Sequence, residues 1–79
     1  MKELIPLTKM RGGQAGIVRA IAGGGSAARR LEALGIKIGK HIVKINSMLF
    51  HGPVTVQVGQ TQISLGHGLA EKVMVEAQE

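Results

Sequence analysis

Apolar and polar residues alternate most cleanly between positions 53 and 65. In Pro53-Val54-Thr55-Val56-Gln57-Val58 a valine falls at every second position, so an extended chain there has one apolar and one polar face. Thr61-Gln62-Ile63-Ser64-Leu65 repeats the alternation. Gly59-Gln60 between them fits a two-residue type II′ turn, which wants glycine first. The pattern predicts a β-hairpin. Ala15 to Ile21 predicts another strand, with Gly16 marking a bulge or a close backbone approach. His41 to Asn46 and Lys72 to Glu76 complete a set of five strands. Gly66-His67-Gly68-Leu69-Ala70-Glu71 is compact and turn-like, with room for one helical turn. Leu4 to Met10 is apolar at 4, 5, 7 and 10 but interrupted by Pro6, and reads as a lead-in that lays Leu7 and Met10 on the core. Arg11-Gly12-Gly13-Gln14 is a turn.

The period changes once. Ala27, Leu31 and Leu34 stand at i, i+4 and i+7, an apolar helical stripe, with Arg29, Arg30, Glu32 and Ala33 on its flanks and back. Gly23-Gly24-Gly25 allows a sharp turn ahead of it, and Ser26 stands where an N-cap belongs. Gly35 follows at the C′ position, so that Ile36 folds back on Leu31 in a Schellman motif. Such a short helix does not hold itself in water and must pack on a sheet. Five short strands with tight turns and one inserted helix predict a mainly β protein, a small, partly open β-barrel.

Composition narrows the chemistry. The 79 residues fit a single domain, and the absence of cysteine rules out disulfides, thiolate metal sites and a thiol nucleophile. Valine, isoleucine and leucine carry the core, since Phe50 is the only aromatic residue. No apolar run approaches the ~18 residues of a membrane span, and the N-terminus does not read as a signal peptide. A cytosolic protein is expected. Ten basic residues against five glutamates give a net charge of +5, which suits a nucleic acid, an anionic membrane or an acidic protein as partner. The basic residues are scattered along the chain, with Arg29-Arg30 the one adjacent pair.

Catalysis finds no support. No two glutamates are spaced as an acid–base dyad, no serine carries a nucleophile signature, and there is no aspartate to orient a histidine. His41, His51 and His67 match no metal-ligand spacing, so neither metal nor cofactor is expected. Gly23-Gly24-Gly25-Ser26 before a helix has the amides of an anion site, yet lacks the P-loop lysine and spacing. Nucleic acid would be held through phosphates alone, because one aromatic cannot build a stacking platform. That leaves a protein partner. Two surfaces offer themselves: the outer face of the helix with Arg29, Arg30 and Ala33, and the apolar run Met48-Leu49-Phe50, which either tucks into the barrel mouth or forms an exposed contact, including one between copies.

The ordered set Leu7, Met10, Gly13, Gly16, Ile21, Gly23-Gly24, Arg29-Arg30-Leu31, Leu34-Gly35-Ile36, Gly39, Gly52-Pro53-Val54, Ile63-Ser64-Leu65 and Val73-Met74-Val75 resembles the FeoA family, from about Leu4 to Glu76. The resemblance implies an SH3-like barrel with a helical insertion. It also implies a regulatory or assembly partner of FeoB, the ferrous iron permease whose cytosolic part binds GTP, rather than an iron carrier. Leu31, Leu34 and Gly35 match the family's helix motif, which makes the helix, with Arg29 and Arg30 on it, the natural docking element. Leu65-Gly66-His67-Gly68 departs from the leucine-rich, basic continuation of many members. The same barrel forms the C-terminal domain of DtxR-type iron-dependent repressors. With the sequence opening at Met1 a whole repressor is not expected, while a free-standing relative of that domain stays open as an alternative.

Overall fold

The computed structural model describes residues 3–46 and 52–78. Its elements in chain order are β1 (Leu4–Pro6), a 3-10 turn (Leu7–Lys9), β2 (Ala15–Ile21), α1 (Gly24–Ala33), β3 (His41–Lys44), β4 (Val54–Val58), β5 (Thr61–Leu65), α2 (His67–Ala70) and β6 (Val73–Ala77). Six strands form one antiparallel sheet in the order β1-β6-β2-β3-β4-β5. The sheet is not closed, since β1 and β5 remain its two edges.

The hairpin of β4 and β5 has the expected register, from Val54 opposite Leu65 to Val58 opposite Thr61, with Gly59 at φ +61° in the turn. Val54, Val56 and Val58 face the core while Thr55 and Gln57 face outward. β2 also spans the expected residues. The alternation of polar and apolar positions was enough to place these strands, because each buries one face only.

The lead-in is a correction: Leu4–Pro6 is a sixth strand, pairing Leu4 with Glu76 and Pro6 with Met74. Three residues are too few to display a period, and proline, without an N–H, is tolerated on an edge. The 3-10 turn then drops Leu7 and Met10 into the core as expected. Of the two readings of Gly16, the close approach holds and the bulge lies elsewhere. The register of β2 against β6 shifts between Val18 and Ala20, so the extra residue is Arg19. Gly16 instead marks the close approach, because a Cβ there would lie 2.7 Å from the Glu76 carbonyl oxygen. β3 ends at Lys44, short of the expected Asn46, whose side-chain oxygen accepts from the Thr55 amide at 2.9 Å.

The core holds Leu7, Val18, Leu31, Ile36, Ile42, Val56, Leu65, Val73 and Val75 as its largest fully enclosed side chains. Lys44 breaks that apolar set. It is 3% exposed and faces inward with Ile42, where the alternation calls for a hydrophobic residue. Its ammonium donates to the carbonyls of Met10 at 2.7 Å and Thr8 at 3.0 Å, tying β3 to the end of the 3-10 turn. Burial pushes its pKa below the ordinary 10.5, because a charge loses hydration there.

Candidate functional site

The helix α1 begins earlier than its sequence signals suggest. Gly23, at φ +87°, is the N-cap, and Ser26 lies inside the first turn without a capping bond. The Ala22 amide donates to the Lys72 carbonyl at 2.7 Å, and the Lys72 stem packs where a Gly23 side chain would stand. The β6 approach thus fixes the chain before Ser26 is reached. The far end follows expectation. The Ile36 amide donates to the Leu31 carbonyl at 2.9 Å and the Gly35 amide to Glu32 at 2.9 Å, with Gly35 at φ +90°. This is a Schellman motif, and its hydrophobic contact partners, Leu31 and Ile36, are both fully buried.

That ending divides the expected site residues. Leu31 is enclosed in the core and offers nothing to a partner. Leu34 does not complete the buried stripe: α1 stops at Ala33, Leu34 is the C-cap, and Ile36 occupies the core after the reversal at Gly35. Leu34 is left 43% exposed. Arg29 and Arg30 are exposed on the same helix. Met48, Leu49 and Phe50 lie outside the described residues.

One exposed residue beyond α1 escaped the sequence reading. Ile38 is 63% exposed, the most exposed of the large hydrophobic residues described. It sits between Lys37 and Lys40 in a turn closed by the Lys40 amide on the Lys37 carbonyl at 3.1 Å. The turn is pinned to β2 through the Gly39 amide to the Val18 carbonyl at 2.7 Å and the Val18 amide to the Lys40 carbonyl at 3.0 Å. Its signal in the sequence, a lone isoleucine in a Lys-Ile-Gly-Lys turn, has no period to mark it. Leu34 and Ile38 therefore lie in a run bearing Arg29, Arg30, Lys37 and Lys40 against one carboxylate, Glu32. Among the described residues, no ion pair ties those four cations to an acid; Arg19 is paired with Glu76 at 3.2 Å and His67 faces Glu71 at 3.5 Å.

The remaining surface offers less chemistry. An open cleft of about 420 Å³ lies between the 11–14 turn and Gln78, lined by Arg11, Gly12, Gly13, Gln14 and Ala15. Among the described residues its lining holds no carboxylate, hydroxyl or histidine. Among the described residues, no three acids or histidines converge on a possible metal position. No described helix is long and apolar enough to cross a membrane.

The family model of the FeoA domain matches residues 5–77. The chain belongs to the FeoA family. FeoA proteins are accessory proteins of ferrous iron transport, and a Methanocaldococcus jannaschii protein provisionally named Fe(2+) transport protein A is 37% identical over 76 residues, 96% of this chain and 90% of that one. The crystal structure of an iron uptake regulatory protein, also called FeoA, is 37% identical and superposes with a TM-score of 0.87 over 96% of this chain and 99% of that one. The FeoA of Stenotrophomonas maltophilia, crystallised with zinc and described as a prokaryotic SH3 domain protein, shares the fold at 23% identity and a TM-score of 0.78 over 95% of this chain and 96% of that one. The FeoA fold recurs within larger proteins: a manganese-dependent transcriptional repressor superposes at 0.87 with 20% identity, matching 99% of this chain but 44% of the repressor.

Proposed function

We propose that this chain is a single-domain, non-enzymatic accessory protein of ferrous iron uptake that docks from the cytosol on the GTP-binding part of a FeoB-type permease. Iron is the permease's cargo in this reading, and the accessory protein acts through contact. The observation that supports it is the run through α1 and the 37–40 turn, where Leu34 and Ile38 are exposed and Arg29, Arg30, Lys37 and Lys40 form no ion pair among the described residues. Apolar residues that leave water on association supply affinity, while the surrounding charges select an acidic partner and speed its approach.

The test is direct binding between the full chain and the purified cytosolic domain of the permease from the same source, by calorimetry or surface-immobilised titration. Leu34→Gln with Ile38→Gln should weaken binding by about tenfold or more, because both side chains are removed from the contact centre. Arg30→Glu with Lys37→Glu should weaken it through the on-rate and reduce its salt dependence. Equal binding by all variants would remove this surface from the account. Capture of nucleic acid alone, lost on nuclease treatment, would replace the permease with a phosphate backbone as partner.

A further inference from the structure

The two edges of the sheet are treated differently. Natural sheets protect an edge by keeping it short or by placing charges, proline or a bulge on it. The β1 edge is three residues long and carries Pro6. The β5 edge is five residues long, pairs with β4 without a register shift, and contains neither proline nor charge. The uncharged stretch is wider than the strand, for no Lys, Arg, His, Asp or Glu occurs from Gly52 to Gly66.

The register shows which backbone groups face the free side. A two-residue turn at Gly59-Gln60 makes Val58 and Thr61 a hydrogen-bonded pair, and the alternation extends this to Val56 with Ile63 and Val54 with Leu65. Thr55 confirms the phase, since its amide donates to Asn46 Oδ1 at 2.9 Å and its carbonyl accepts from Ile45 at 2.8 Å, both toward β3. Gln62 and Ser64, opposite Gln57 and Thr55, therefore turn their amides and carbonyls outward. Both residues are exposed, and among the described residues no strand pairs with that edge.

We propose that β5 is a strand-addition site whose occupant is β5 of a second copy of this chain, antiparallel about a two-fold axis at Ile63. In that register Gln62 of each copy lies opposite Ser64 of the other, and each such pair exchanges both of its backbone hydrogen bonds. The half-buried Ile63 side chains meet at the axis. The contact is self-complementary, as a two-fold interface requires. Two copies of +5 repel overall, and this uncharged segment lets them approach without setting one charge directly against another. One strand pair is smaller than a standard stable interface, so the dimer is weak and concentration-dependent. Added salt strengthens it by screening the repulsion between copies.

Sedimentation of the full chain tests this between about 10 μM and about 1 mM, at about 0.15 M and about 0.5 M salt. The weight-average mass should rise from 8.3 kDa toward twice that value, more steeply at the higher salt. Two exposed-site variants fix the register: Gln62→Lys with Ser64→Lys, and Gln62→Glu with Ser64→Glu. Each alone should weaken association by about tenfold or more, as like charges then face across the axis. An equimolar mixture should restore it, because positions 62 and 64 then carry opposite charges across the axis. Circular dichroism checks that both variants fold. A monomer at every concentration, association unchanged in the charged variants, or a mixture that fails to restore it would each overturn the proposal.

Discussion

At the scale of single residues, Lys44 and Gly16 illustrate two kinds of constraint. Lys44 keeps two carbonyls satisfied but does so with a buried charge, whose lost hydration holds its pKa below 10.5. The unfolded chain therefore binds the proton more tightly than the folded one. Below the lowered folded value both states are protonated and the penalty is fully present; it is relieved as pH rises through that value and is gone above 10.5. Measured by denaturant midpoints from neutral into alkaline pH, the wild type should gain stability relative to Lys44→Met. A constant difference between the two would show that burial does not shift this amine. Gly16 is constrained by space. Gly16→Ala would press a methyl group toward the Glu76 carbonyl and should cost about 1–3 kcal/mol of unfolding free energy, as overpacked sites do.

At the scale of the element, the Schellman ending of α1 separates leucines that look equivalent along the chain. Leu31 faces the core and Leu34 faces water. Leu31→Gln should cost about 2–5 kcal/mol, from the cavity and from a buried amide, a large share of what a domain this small possesses. Leu34→Gln should change stability by no more than about 0.5 kcal/mol while weakening permease binding. Thermal unfolding and binding measured on the same two proteins check this. Loss of binding in a Leu31 variant says nothing of contact unless the variant is shown to fold. Gly35→Ala belongs between them: φ is +90° with open space around the position, so strain without a clash should lower stability by about 1 kcal/mol.

At the scale of the whole molecule, a net charge of +5 should act in opposite directions on the two proposed associations. The proposed docking on a permease would be favoured by charge if the surface it meets is acidic, and its dissociation constant should then rise several-fold between about 0.05 M and about 0.3 M salt. Leu34 and Ile38 should leave a residual, salt-insensitive affinity. Pairing of two β5 strands is opposed by charge and should respond to salt in the other direction. A titration of both at matched salt separates the surfaces without any mutation. In the sheet order β3 and β4 lie between the β2 strand that anchors the 37–40 turn and the β5 edge.

Local chemistry was enough to determine β2, the β4–β5 hairpin and the exit from α1. Alternation at every second residue, a glycine opening a two-residue turn and a glycine after the last helical turn are signals carried by neighbours in the chain, and each acts within a few residues. The FeoA pattern was legible for the same reason, being a set of such local features in order. Tertiary structure decided the rest. Leu4–Pro6 becomes a strand because β6, about seventy residues away, offers it an edge. α1 starts at Gly24 because Lys72 packs against Gly23. Lys44 points inward where the 3-10 turn presents two carbonyls to it, and Ile38 is exposed in a turn that β2 pins in place. Each of these depends on a partner distant in sequence, and burial, charge and exposure are settled only when that partner arrives.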